Sequence, residues 1–290
     1  MLTNHIGDIR IDRIIEQEFP MFDPADFLPD LTKEMVDPHR HWLEPQCFDP
    51  VSGLMTFCMQ SYVIRTGTQN ILIDTCIGNH KNHPAREHWH QKTDSTYMDA
   101  LNKAGLTVAD IDVVMCTHLH PDHVGWNTQL EDGRWVPTFP NAKYLFSEKE
   151  LAYWEEMNAK KEIPYVVESV LPIVQAGRVT QVAHDHQVSD HIWCEPTPGH
   201  TPDHFSICMS HGGHSGVITG DLIHSPIQCV YPHIHARPDV DKPLAAKTRQ
   251  AYMEKYADTD TLVCATHFPS PSFGRFVTEG DAFRWRYLEG

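Results

Sequence analysis

Four times along this chain a short apolar run gives way to a side chain that binds metals well. That spacing constrains the fold more than any bulk property. IDVVMCT (111–117) leads into His118 and His120, and PTPGHTPDH (196–204) brings His200 just after a β-type run and a glycine. VITGD (217–221) ends on Asp221, and LVCATH (262–267) ends on His267. Short apolar runs bounded by turn residues read as buried strands. Ligand-type residues just past several strands are what a sheet-built site gathers at one edge.

The densest of these stretches is THLHPDHVGW (117–126), with His118, His120, Asp122 and His123 inside six positions. Side chains at i and i+2 on a strand face the same way, so one ion takes both His118 and His120. Pro121 then stops the strand, and the turn redirects Asp122 and His123 toward a second position. A single histidine after a strand is more often a surface or satisfied core residue, and with 21 histidines some pairs fall close by chance. An HxHxDH run followed in order by three further strand-end donors is not explained by composition.

The bulk numbers bound the rest. A chain of 290 residues that is 41% hydrophobic builds a sizeable core and reads as one domain over 1–290. A net charge of −16 argues against a nucleic-acid backbone or an anionic membrane as partner. No apolar run approaches the roughly 20 residues of a membrane span, and MLTNHIGDIRIDRI lacks the pattern of a secretory signal. The eight cysteines are scattered without a CxxC pair, as small buried hydrophobes in a reducing compartment would be. A cytoplasmic location is expected.

Residues 9–15 alternate as a strand, and 56–65 with 70–75 form a hairpin. A helix is predicted around 95–104, another capped by Ser147 and Glu150, a third after Pro164 and a fourth near 244–257. Strands are predicted at 143–146, 178–182, 191–195, 204–210 and 215–219, with 261–266 as the final core strand. This is an α/β chain with two sheets packed face to face and helices outside. The segment 19–50, rich in Pro, Asp and Phe, reads as a long ordered loop, a lid or a dimer contact. The histidine-studded loop 80–90 reads as solvated.

These residues carry a resemblance. The sequence is similar to the metallo-β-lactamase superfamily, whose HxHxDH pattern is met by His118, His120, Asp122 and His123, and whose later ligands match His200, Asp221 and His267. The resemblance runs from about residue 55 to 270. It implies an αββα sandwich of two mixed β-sheets flanked by helices, and two divalent metal ions. His118, His120 and His200 would hold one ion, Asp122, His123 and His267 the other, with Asp221 bridging. Zinc suits the nitrogen-rich set, while Fe, Mn or Co are also accepted by imidazole and carboxylate. A hydroxide shared by two ions is a nucleophile at neutral pH, so hydrolysis is implied, with Asp122 and Asp221 as the catalytic carboxylates.

Within the superfamily, a bridging aspartate points away from penicillin-type substrates. THLHPDHVGWN looks most like the quorum-quenching lactonase and methyl-parathion-hydrolase-like branch. The expected substrate is a small lactone or ester, as for acyl-homoserine lactonases. The alternatives are a phosphotriester or a thioester of the glyoxalase II type, and outside enzymes a metal-binding module that kept the fold. Similar lactonases include homodimers. Trp126, His224 and Tyr231 are the candidates for contacting substrate, and Asp74 for accepting the second ring N–H of a ligand histidine.

Overall fold

The computed structural model describes residues 3–288. Its backbone falls into two compact units: unit I comprises 3–16 and 59–184, and unit II comprises 17–58 and 185–288. Among the described residues no helix is long and apolar enough to cross a membrane.

Nine strands precede residue 185: β1 Thr3–Ile6, β2 Ile9–Phe22, β3 Met55–Arg65, β4 Asn70–Ile73, β5 Val113–Met115, β6 Thr128–Glu131, β7 Arg134–Pro137, β8 Lys143–Ser147 and β9 Val179–Val182. Seven of them form a sheet in the order β1-β2-β3-β4-β5-β8-β9, while β6 and β7 pair alone. The predicted hairpin is present, with Tyr62 opposite Ile73 and Arg65 opposite Asn70. β4, β5, β8 and β9 run parallel. Parallel neighbours need a crossover, and the predicted helix supplies it as Thr96–Lys103, burying Tyr97 and Leu101. Leu72, Val114, Tyr144 and Phe146 join these residues in the core of unit I. The Ser147 side chain caps the helix Glu148–Lys160 by accepting from the Glu150 N–H at 3.3 Å.

Unit II holds the second seven-stranded sheet, ordered β10 to β16: Gln187–Ser189, Ile192–Pro196, Phe205–His211, His214–Ile218, Leu262–Cys264, Phe273–Glu279 and Ala282–Tyr287. All neighbours are antiparallel except β13 and β14. The helix Lys242–Tyr256 is the crossover between those two, capped by Asp241. Tyr252 and Met253 pack from it onto Val217, Val263 and Phe276.

Three expectations are corrected. β14 is not the last core strand, because Phe276, Phe283 and Trp285 on β15 and β16 complete the core of unit II; alternating Thr, Glu and Arg disguised them. Residues 19–50 are not loop throughout: β2 runs on to Phe22, and helical turns follow at Pro24–Phe27, Lys33–Val36, Asp37–His39 and Arg40–Leu43. Asp23 with Pro24, and Asp37 with Pro38, start two of these turns, and with turns this short no long period survives. The helix expected after Pro164 is present, as a π-turn, Val166–Val170, leading into the helix Leu171–Gln175. Loop 80–90 is not fully solvated, since Lys81, His83 and Trp89 are buried.

Candidate metal centre

In unit I the donor-rich stretch starts later than expected relative to the strand. β5 ends at Met115, so His118 and His120 lie beyond it, and Pro121 opens a one-turn helix, Pro121–Val124, rather than ending a strand. Proline suits that first helical position, where its missing N–H costs nothing. Asp122 and His123 project from this turn.

Each ring is held from behind. The Thr117 hydroxyl is 3.1 Å from His118 Nδ1, and Asp74 Oδ2 is 2.9 Å from His123 Nδ1. Each of these two histidines thus turns its Nε2 away from that partner. His118 Nε2 lies 3.0 Å from His120 Nδ1, and Asp122 Oδ2 lies 3.9 Å from His123 Nε2. Asp74 also accepts from the Thr117 N–H at 2.8 Å, so one carboxylate fixes both ends of the stretch. It does so from left-handed backbone, φ 57, a conformation Asp tolerates better than most residues. This is the tautomer-fixing role expected of Asp74.

The turn is laced to its neighbour by backbone bonds. Thr75 N–H donates to His123 O, Gly125 N–H to Cys76 O and Trp126 N–H to Thr75 O, each at 2.8 Å. Gly125 is required here, because a Cβ would stand 1.9 Å from Ile77 O. Trp126 stacks on Tyr97 at 5.5 Å and donates from Nε1 to Glu16 at 2.8 Å. It therefore lies in the core of unit I, on the packing side of the two roles open to it.

In unit II three donors converge on one carboxylate. His200 Nε2 is 3.3 Å from Asp221 Oδ2, and His267 Nε2 is 2.9 Å from Asp221 Oδ1. His224 Nε2 also reaches Oδ2, at 3.2 Å. Behind them, Asp239 Oδ1 takes His200 Nδ1 at 2.8 Å and Cys58 O takes His267 Nδ1 at 3.1 Å. The Asp221 N–H donates to His204 Nε2 at 2.9 Å, which fixes the backbone that aims the carboxylate. Gly199 is tightly packed, as a Cβ would meet Ala245 N at 2.3 Å, and its φ of +129 excludes other residues.

The electrostatics suit a cation. Burial alone would depress the His200 imidazole, yet Asp221 and Asp239 on either side raise it to about 9. Asp239, despite its burial, is held well below the carboxylate range by His200. A site that holds positive charge this firmly also favours a divalent ion. His224 goes the other way, because burial outweighs the pull of Asp221 and lowers it. All seven predicted donors thus expose one ligand atom, and within each unit they cluster: His118 with His120, Asp122 with His123, and His200 with Asp221 lie within 4.8 Å.

Tyr231 is engaged elsewhere, its hydroxyl donating to Met35 O at 3.2 Å and meeting His39 Nε2 at 3.3 Å. Asp239 and His204 escaped the sequence reading. Neither sits at a spacing that marks it, although PTPGHTPDH does contain His204.

A family model for the metallo-β-lactamase superfamily matches residues 60–267. The chain belongs to that superfamily. Its fold is accordingly α/β, with two mixed seven-stranded sheets flanked by helices, and at this level it is a hydrolase with metal-binding residues in place. Among solved structures it is similar to AidC, a dizinc quorum-quenching lactonase in complex with a product, N-hexanoyl-L-homoserine; identity is 19%, coverage 99% of this chain and 97% of that one, and TM-score 0.81. The hydrolase AbOPH of the β-lactamase superfamily aligns at 22% identity over 99% and 97% of the two chains, TM-score 0.82. An N-acyl homoserine lactone hydrolase with N-hexanoyl-L-homoserine at its catalytic metal center aligns at 18% identity over 91% and 94%, TM-score 0.64. No curated protein matches the chain in sequence.

Proposed function

We propose that this superfamily member is a dinuclear metal-dependent hydrolase of lactones or esters, of the acyl-homoserine lactonase type. In this reading His118, His120 and His200 hold one ion, and Asp122, His123 and His267 hold the other. The observation that carries the dinuclear part is Asp221, whose two oxygens face different histidines, His200 and His267. Such a carboxylate is built to be shared. The substrate class is supported by the two lactone-cleaving relatives of the fold. Zinc is the metal proposed, on the nitrogen-rich donor set.

When bound, the ions supply a water acidic enough to attack near neutral pH and a Lewis acid for the carbonyl. The chain's own residues do the rest. Asp122, partly open with 14% of its side chain exposed, orients the attacking water and carries a proton toward the leaving oxygen. Asp74 and Asp239 fix the rings of His123 and His200. His224, buried and neutral beside Asp221, contacts the reacting region from unit II. Phe27 packs edge-on against the His224 ring at 5.2 Å, so we assign 19–50 as the cover of this side.

The test is proton release by zinc-loaded protein given an acyl-homoserine lactone, with Asp122→Asn as control. Rapid release is expected, lost in the variant more completely than its metal. No release from protein carrying two ions rejects lactones, and phosphotriesters and thioesters are then assayed in their place.

A further inference from the structure

We propose that Arg249 is a positioning residue of the metal centre, a buried guanidinium that holds the stretch 222–239 and, through Asp239, fixes the ring of His200. This rests on the reading of His200 and Asp221 as metal ligands, and not on the substrate class assigned above.

The first observation is where a costly charge sits. Arg249 lies about two turns into the helix Lys242–Tyr256 and is buried. Taking a guanidinium out of water is expensive unless its donors are met. Here Nε donates to Leu222 O, and Nη1 donates to both Pro232 O and Ile234 O, each at 2.8 Å. Nη2 reaches Asp239 Oδ2 at 3.5 Å. All four acceptors belong to the stretch that follows Asp221, and none lies in a strand.

The second observation is how little regular structure that stretch has of its own. Between Leu222 and Asp239 there is only the helical turn Ile227–Val230. Gln228 supports the same points from within, accepting from the His224 N–H at 2.8 Å and donating to Ile234 O at 3.0 Å. Ile234 O therefore takes both Gln228 and Arg249. A planar fork with donors in fixed directions suits acceptors that arrive from separate positions, and a lysine ammonium does not.

The third observation joins this staple to a ligand. Asp239 accepts from the Ala236 N–H at 2.9 Å through Oδ2, the oxygen that Arg249 also faces. Its other oxygen, Oδ1, stands 2.8 Å from His200 Nδ1. One side of the carboxylate is thus gripped so that the other is aimed at the ring. The backbone repeats the link, since the Val240 N–H donates to His200 O at 3.0 Å and the Asp241 N–H to Gly199 O at 2.9 Å. Asp241 in turn caps the helix that carries Arg249, so helix, stretch and ligand close into one ring of contacts. Leu222 is the chain neighbour of Asp221, and the same guanidinium fixes the backbone leaving that carboxylate. Arg249 acts through Asp239 and Leu222 rather than on a ligand.

The experiment uses the full chain and reads zinc affinity by competition with a chelating dye, so no substrate enters it. A double-mutant cycle compares the native protein, Arg249→Lys, Asp239→Asn and the pair. Arg249→Lys keeps the charge without the fork and is expected to weaken zinc about tenfold. Asp239→Asn should cost about 10–100-fold, and the pair no more than Asp239→Asn alone, as residues acting in series do. Should Arg249→Lys fail to fold, Arg249→Gln, neutral and still a planar donor, takes its place with the same expectation. The second readout is NMR of zinc-loaded protein with isotope-labelled histidine. The His200 Nδ1–H held by Asp239 is assigned by the line lost in Asp239→Asn, and this line should shift or broaden in the Arg249 variant. A role in stability alone would leave it in place. Native zinc affinity with an unmoved line, or losses that multiply in the pair, overturns the proposal. A native protein that binds no zinc defeats the metal reading and the proposal with it. Zinc binding that follows the cycle without any lactone cleavage upholds Arg249 and rejects only the substrate class.

Discussion

The two units supply their donors in opposite ways. Unit I takes four from six consecutive positions, His118 to His123, on one turn. Unit II takes three, His200, Asp221 and His267, each just past the end of a different strand, β11, β13 and β14. Yet both use the same local devices. A buried carboxylate stands behind a ligand histidine in each, Asp74 behind His123 and Asp239 behind His200. A glycine beside a ligand lets backbones meet in each, Gly125 in one and Gly199 in the other. The difference teaches that a contiguous set needs only one turn to be right, while a scattered set needs a whole sheet in register.

The sharpest way to break this comparison is to remove the acid at the centre of the scattered set. Asp221→Asn keeps the shape but halves the donor capacity facing His200 and His267. Turnover should fall by roughly a thousandfold, the scale of losing a preorganised charge at a reacting centre, with at least one ion lost by elemental analysis. A variant with two ions and native turnover would show that Asp221 does not bridge.

The next test asks whether the backing carboxylates are equivalent. Asp74→Ala and Asp239→Ala should each cost about 10–100-fold in metal affinity, read by competition with a chelating dye. If only one variant loses metal, the common plan is wrong and the other carboxylate serves folding alone.

The smallest effect concerns stability and marks unit I only. Burial lowers the Lys81 ammonium from 10.5 to about 7, with Glu168 opposing. The folded state then binds fewer protons than the unfolded one between those values, so this group's penalty fades as pH rises from about 7 toward 10.5. Chemical unfolding at pH 6 and pH 9 should show Lys81→Met gaining on the native protein at pH 6, by about 1–2 kcal/mol, and losing that advantage at pH 9. An equal difference at both pH values would mean that Lys81 stays charged when buried.

How much was legible follows the same division. The parallel strands and the crossover helices were readable because doubly buried strands are apolar runs and their helices carry clear caps. β15 and β16 were not, since Arg275, Glu279, Arg284 and Arg286 on one face dilute the pattern that Phe276, Phe283 and Trp285 make on the other. Seven candidate donors were named, four by spacing and three as strand-end residues that match a known pattern in order. Asp74 was found as a strand-end acid. Asp239 and His204 were not, because a residue that works only through another residue has no spacing of its own.

By itself the sequence determined which side chains are candidates to hold a metal, in what order, and past which strands. Only the tertiary structure decided which ring nitrogen a histidine such as His118 or His123 keeps behind it, and that Trp126 is core while the His83 Nε2 is buried without a hydrogen-bond partner. The physical reason is range. Residue type and strand period act over a few positions, but hydrogen-bond satisfaction and burial depend on what arrives from tens of residues away, as Asp74 does for His123 and Glu16 for Trp126.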